Sequence, residues 1–409
     1  MVYLLSQIFT TMTTTSSPDI KKRIDSIDIL RGIIMLIMAL DHVRDFFHNV
    51  DPRIEPTDMA TTTPILFFTR WITHFCAPTF VFLSGVSAYL AGIKRTKSEL
   101  SAFLIKRGIW LILIEVIILT LAFSLNPLYN VIILQVLWAI GFSMLLLGLV
   151  VRAPIPLIAI LGGLIFFGHD ILDYMTLPKT GAASVWENLF LTARGSILTL
   201  SNNHFVFDLY AVIPWTGIMF LGYAFGSFYR PLFNQQKRKK ILLYTGLALL
   251  ATFIVLRLIN QYGDPAPWSA QRNGVYTVLS FFNVSKYPPS LLYSCMTLGV
   301  SLVVLSLTEH VQNKFTAIFI VYGNVPFFYY VLHFYLIRIL DVILFFASGY
   351  HTSQIVTPNS PFLFRPATMG FSLGGVYLVW LFIIAALYLP CKWFSKYKKT
   401  HHQWWLSYL

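Results

Sequence analysis

Two side chains eleven positions apart, Arg31 and His42, carry the most chemistry this sequence offers. They bracket the stretch "DILRGIIMLIMALDHVRDFFH" at residues 28–48. It opens on Asp28 and Arg31, runs through eight uncharged residues after Gly32, and closes on Asp41, His42, Arg44, Asp45 and His48. Ionisable groups in an apolar span cost several kcal/mol unless paired or wetted, which makes them functional candidates. At 100° per residue, eleven positions close three turns plus about 20°, so Arg31 and His42 share a helix face about 16 Å apart along the axis. Asp28, Met35, Met38 and Asp45 fall on the same stripe, whereas Arg44 points the other way and is expected to meet lipid headgroups. An imidazole with Asp41 beside it and Asp45 one turn on is equipment for general-base catalysis near neutral pH, with a carboxylate orienting the ring. The plainer reading of Asp28 with Arg31 is a helix-terminal ion pair.

Further groups fall at matching depths. In "FFTRWITHFCAPTFVFLSGVSAYLAG", Arg70 and His74 stand one turn apart on one face, followed by the small residues Ala77, Ser84, Gly85 and Ala88, which let a neighbouring helix approach. In "VYGNVPFFYYVLHFYLIRILD", Asn324 precedes Tyr329, Tyr330 and His333, and those three can share a face, so His333 is placed to line the cavity of His42. "GHDILDYM" groups His169, Asp170 and Asp173 at a span end, where solvation accounts for them more simply than a metal does. Glu115, Asp208 and Arg257 are single charges in apolar surroundings without an evident partner. Cys76, Cys295 and Cys391 form no CxxC pair and read as packing residues.

The elements that must position these groups are membrane helices. Of 409 residues 56% are hydrophobic and 11% charged, which excludes a soluble globular class. The reading is an all-α, polytopic helical bundle of ten or eleven transmembrane helices. Hydropathy places them at 27–47, 65–92, 108–125, 131–151, 155–173, 206–229, 241–259, 288–307, 316–347 and 371–391, with Pro326 able to split the ninth. Residues 1–22 read as a disordered cytosolic leader without signal-peptide character (Met12 is a candidate start), 23–391 as one transmembrane domain, and 392–409 as a basic, aromatic cytosolic tail. No internal repeat is evident. The net charge of +13 lies in short loops between spans rather than in a nucleic-acid-binding stripe. With a cytosolic N-terminus, 19 of the 30 Lys and Arg fall on the cytosolic side, which predicts a multi-pass plasma (inner) membrane protein with both termini inside.

Arg31, ten intervening residues and His42 resemble the Arg–X10–His motif of acyltransferase type 3 membrane enzymes. The wider stretch, "RIDSIDILRG" and then "HFCAPTFVFLSGVSAYL", is similar to the heparan-α-glucosaminide N-acetyltransferase-like family. The likeness is clear over residues 23–92 and general beyond. It departs in one respect: the lysosomal heparan enzyme aligns an Asn with His42 and keeps its proposed catalytic histidine in the next lumenal loop, where His48 is the nearest here. The resemblance implies a membrane acyltransferase taking acetyl-CoA (or another acyl-CoA) as donor, with a carbohydrate or glycan acceptor, the bilayer as environment, no metal, and homodimerisation left open.

The expected catalytic set is His42, Asp41, Asp45 and His74, with His42 as general base or acyl carrier. Arg31, Asp28, Arg70, Asn324 and His333 are expected on the substrate side, with His48 in reserve. Basic residues at 94–107 and 237–240 would attract the donor's phosphates, and Trp186 or Trp268 would stack on a sugar. Two other classes compete: a proton-coupled transporter using Asp41, His42, Asp45 and His74 as a relay, and a membrane partner that keeps the fold without the chemistry.

Overall fold

The computed structural model describes residues 24–51, 54–177, 181–193, 197–355, 363–366, 369–401 and 403–407. The leader expected at 1–22 lies outside them. The chain is an all-α polytopic membrane protein, and among the described residues six helical stretches are long and apolar enough to cross a bilayer: 64–92, 155–174, 235–259, 291–308, 326–347 and 373–400. The first helix, α1 (Asp25–Phe47), is of spanning length, but its charges keep it out of that set.

Helix α1 is the hub. It packs against α2 (Pro64–Thr73), α3 (Cys76–Gly92), α12 (Leu291–Thr308), α13 (Lys314–Gly323), α14 (Pro326–Ala347) and α15 (Leu373–Thr400). Acidic Asp25 and Asp28 in its first turn and Arg44 in its last complement the helix dipole. Where α1 crosses α13 the backbones touch: a Cβ on Gly32 would collide with the Phe319 carbonyl, and one on Gly323 with that of Asp28. Two glycines facing each other's neighbours make this the closest kind of membrane-helix contact.

The remaining helices build outward. Helix α4 (Lys97–Leu113) starts on a Thr96–Glu99 capping box, passes through a π turn at Ile114–Leu119 and ends as α5 (Thr120–Ser124). Then come α6 (Val136–Val150), α7 (Ile155–Gly168), the short α8 (Gly181–Glu187), α9 (Val212–Gly226), α10 (Gln235–Ile259) and α11 (Gly274–Phe282).

Five stretches differ from the hydropathy reading or refine it. The stretch 65–92 carries a one-turn irregularity at His74–Phe75, where the helical hydrogen bonds lapse although both residues keep right-handed helical backbone angles. The stretch 316–347 is two helices, with Pro326 at the first turn of α14, where a missing N–H costs nothing. The stretches 131–151 and 206–229 begin as strands: β1 (Val131–Leu134) pairs in parallel with β3 (His204–Asp208), which pairs antiparallel with β2 (Ile197–Ser201). Short runs of β-branched and aromatic residues cannot be told from buried helix by periodicity, and here the strand won. Finally, α15 runs unbroken past residue 391 to Thr400, so the expected tail starts as helix.

Candidate active site

His42 faces His333 across the α1–α14 contact, Nδ1 to Nε2 at 2.7 Å, with the rings stacked at 5.0 Å. His333 is fully buried, and its Nδ1 lies 3.2 Å from the Tyr329 carbonyl one turn earlier. A carbonyl only accepts, so His333 Nδ1 carries a proton and its Nε2 offers a lone pair. His42 must then donate from Nδ1, and its Nε2 is left as an acceptor with no hydrogen-bond partner among the described residues. The ring is also pressed against Phe334, centroids 4.3 Å apart.

The expected carboxylate partner of His42 is therefore corrected: neither Asp41 nor Asp45 hydrogen-bonds to it. Asp41 receives Arg70 Nη1 at 2.9 and 2.6 Å and pairs with Arg44 Nη2 at 2.9 Å. Arg44 also binds Asp45 at 2.6 Å, and Arg70 reaches Glu55 at 3.2 Å. The result is a chain of alternating charge, Glu55–Arg70–Asp41–Arg44–Asp45, drawn from α1, α2 and the loop between them. Arg44 is buried within it instead of meeting headgroups.

A small cavity of about 30 Å³ opens beside His42, room for a water or two. Its lining includes Met38, Asp41, Thr73, Phe80, Tyr330 and Lys286, and also Gln135 and Tyr210. The last two are delivered by the ends of β1 and β3. Glu115, in the π turn of the α4–α5 stretch, accepts from the Gln135 N–H at 2.9 Å, and Asp208 accepts from the Tyr210 N–H at 3.1 Å. These are the partners of two charges that the sequence left unassigned. Arg257, the third, donates to the carbonyls of Ala266, Ser280, Phe281 and Asn283. Asp208 lies outside the spanning helices, and burial pushes its carboxyl up to about 7.

A second cavity, about 80 Å³, lies beyond the charge chain and is lined by Arg44, Asp45, His48, Asp51, Glu55 and Thr61 among others. His48 caps the end of α1, where partial burial and the cations of Arg44 and Arg365 push its imidazole below the ordinary value. It shares the outer cavity with Asp45 but not the inner one with His42. His74 sits at the α2–α3 junction with its ring edge-on to Tyr293 at 5.5 Å; its carbonyl accepts from the Tyr293 hydroxyl, and its Nδ1 is buried without a partner.

At the opposite end of α1, Arg31 binds Asp28 at 3.0 Å, the Gly323 carbonyl at 3.3 Å and Ser87 on α3 at 3.1 Å. Asn324 follows Gly323 and donates to Ser395 at 3.3 Å, so it belongs to this end and not to the His42 cavity. His169 and Asp170 pair at 2.9 Å, and each also binds backbone at the start of α12: the Pro289 carbonyl and the Leu291 N–H, respectively. Trp268 is tied by its indole N–H to the Arg257 carbonyl, while Trp186 is exposed and stacked on Phe190.

The expected meeting of His42 and His333 is found, but His333 sits behind His42 and does not line the cavity, whereas Lys286, Gln135 and Tyr210 do and were missed. Lys286 stands next to Tyr287-Pro-Pro, directly before α12, a loop-to-helix junction that was the available signal. A model of the catalytic domain of heparan-alpha-glucosaminide N-acetyltransferase matches residues 23–256. The search of curated proteins found no match to the chain. The matched region carries His42 and its charge chain, and ends before the helices that bring His333 and the loop that brings Lys286. With more than half of its length matched, the chain belongs to the heparan-alpha-glucosaminide N-acetyltransferase catalytic family, whose activity is that of a membrane acetyltransferase.

Proposed function

We propose that this protein transfers an acetyl group from acetyl-CoA to an amine or hydroxyl of a carbohydrate, with His42 acting at the reacting centre. The observation that carries the proposal is the ordered pair of imidazoles. The Tyr329 carbonyl fixes the tautomer of His333, and His333 fixes that of His42, leaving His42 Nε2 unprotonated and able to accept a proton beside the cavity. A base oriented by a second group and able to accept one proton is what attack on a thioester requires. The second imidazole takes the place usually held by a carboxylate.

The donor would enter from the Arg31 end. Arg31 is bonded to Ser87, five residues before the end of α3, so Lys94, Arg95 and Lys97 follow at that end. Arg238 pairs with Glu309, which also accepts from Ser26 at the start of α1; this brings the 237–240 run to the same end. These cations suit the donor's phosphates, and the gathering of basic loops there also supports cytosolic termini. The thin pantetheine arm would bridge about 16 Å of α1 toward His42. The inner cavity is too small for a thioester as it stands, so Met38 and Phe80 must yield; a thioether side chain does so readily. The transporter reading is less favoured because Asp41 and Asp45 are bound to guanidinium groups rather than to His42 or His74.

The test is purified full-length protein in detergent with acetyl-CoA and glucosamine, following thiol release and the mass of the acceptor. His42→Ala is expected to lower turnover at least about 100-fold. Undiminished acetylation by that variant overturns the assignment. Rapid mixing with donor alone separates direct transfer from an acetyl-histidine intermediate, since only the latter gives a burst of thiol without acceptor.

A further inference from the structure

We propose that Lys286 stabilises the oxyanion formed in the transfer; this rests on the acetyl-transfer reading above. Lys286 lines the same cavity as His42. Its ammonium makes no hydrogen bond or ion pair with the described residues and lies over the Tyr287 ring, 5.0 Å from the centroid. It is close enough to Asp41 and His42 for its charge to act on both. The two other cations nearby, Arg44 and Arg70, are bound to carboxylates and do not line the cavity. Lys286 is thus the cavity's one uncommitted cation among the described residues.

The chain invests structure in placing it. Asp264 accepts from the Ser285 N–H at 2.8 Å, the Ser285 hydroxyl at 3.2 Å and the Ser290 hydroxyl at 2.7 Å, pinning the residues on both sides of Lys286. Arg257, almost fully buried on α10, gathers the carbonyls of Ser280, Phe281 and Asn283 just upstream. A side chain that stabilises developing charge works best when its position is set before the reaction.

In the step itself, the acceptor's lone pair forms a bond to the thioester carbonyl carbon while its proton passes to His42 Nε2. The carbonyl π pair moves to oxygen, and that oxyanion accepts a hydrogen bond from the Lys286 ammonium, which keeps its protons. Collapse restores the carbonyl and breaks the carbon–sulfur bond, and the thiolate takes the proton from His42. One thioester and one acceptor give one acetylated acceptor and one thiol. Without Lys286 the oxyanion would form near Asp41 with no uncommitted cation to face it, and charge repulsion in a low-dielectric site is costly.

The experiment compares wild type, Lys286→Met and Lys286→Arg as full-length protein in detergent, with acetyl-CoA and glucosamine, recording kcat, KM and thermal midpoint. The expected result is kcat lowered about 10²- to 10³-fold in the Met variant, KM within about threefold and an unchanged midpoint. The Arg variant, which retains the charge, should recover to within about tenfold of wild type. Active wild type with the Met variant within threefold in kcat overturns the role of Lys286. So does an Arg variant that folds and is as slow as the Met variant, because charge is then not what matters. A wild type that releases no thiol overturns the parent reading instead.

Discussion

The two ends of α1 handle charge differently. At the Arg31 end a local pair dominates among the described residues: Asp28 lies one turn before Arg31, and the distant groups Ser87 and the Gly323 carbonyl are neutral. At the His42 end the local pairs of Arg44 with Asp41 and Asp45 are joined by partners from afar. Asp41 is neutralised by Arg70, 29 residues on, and His42 is oriented by His333, 291 residues on. A local pair forms whenever the helix forms. The distant set exists only when α1, α2, the 48–63 loop and α14 are all in place, which is the arrangement expected of a reacting centre assembled by the fold.

The sharpest way to break this contrast is Asp41→Asn. It leaves two buried guanidinium groups, Arg44 and Arg70, without their shared counter-ion. Removing one partner of a buried pair costs about 3–5 kcal/mol, so a large fall in thermal midpoint is expected. A fall no greater than that of Asp28→Asn would show that the two ends are equivalent. Next is His333→Phe, which keeps the ring volume and removes the acceptor for His42 Nδ1. Turnover should drop about 10²- to 10³-fold with the fold intact. Combined with His42→Ala it should add little, because groups acting as one unit are not additive. Full additivity would mean that the two imidazoles act separately.

The same contrast explains what the sequence could show. Helical period and hydropathy expose anything contained within one element: the Asp28–Arg31 pair, the Arg31–His42 face, and the break at Pro326. His333 was legible because Tyr329, Tyr330 and His333 repeat at helical spacing in an otherwise apolar span. The charge chain was not, because whether Arg44 meets lipid or Asp41 depends on where α2 docks. Nor was Lys286, whose position depends on Arg257 and Asp264 folding the 260–290 loop back onto the bundle. The strands failed for a local reason: "VIIL" and "HFVFD" are apolar enough to pass for helix, and only their pairing with each other distinguishes them.

That pairing gives the third prediction. Asp208 ends β3 with one oxygen on the Tyr210 N–H and the other buried without a partner. Burial raises its carboxyl from 3.8 to about 7, so the folded state holds a proton that the unfolded chain has already lost between those values. Stability contributed by this group is fully present below pH 4, falls as pH rises, and levels off above about 7. Thermal midpoints measured from pH 5 to 8 should therefore decline more steeply for wild type than for Asp208→Asn. Parallel slopes would place the carboxyl's titration elsewhere.

The smallest effect is expected back at the Arg31 end. Asp28→Asn removes a partly exposed pair whose arginine keeps two neutral acceptors, Ser87 and the Gly323 carbonyl, so the loss should be about 1 kcal/mol or less. If Arg31 steadies the donor, freeing it from Asp28 should leave turnover at saturating acetyl-CoA unchanged and shift the donor's KM by a few-fold. A loss of turnover at saturation comparable to that of His333→Phe would mean that Asp28 reaches the reacting centre. The division of labour between the two ends of α1 would then fail.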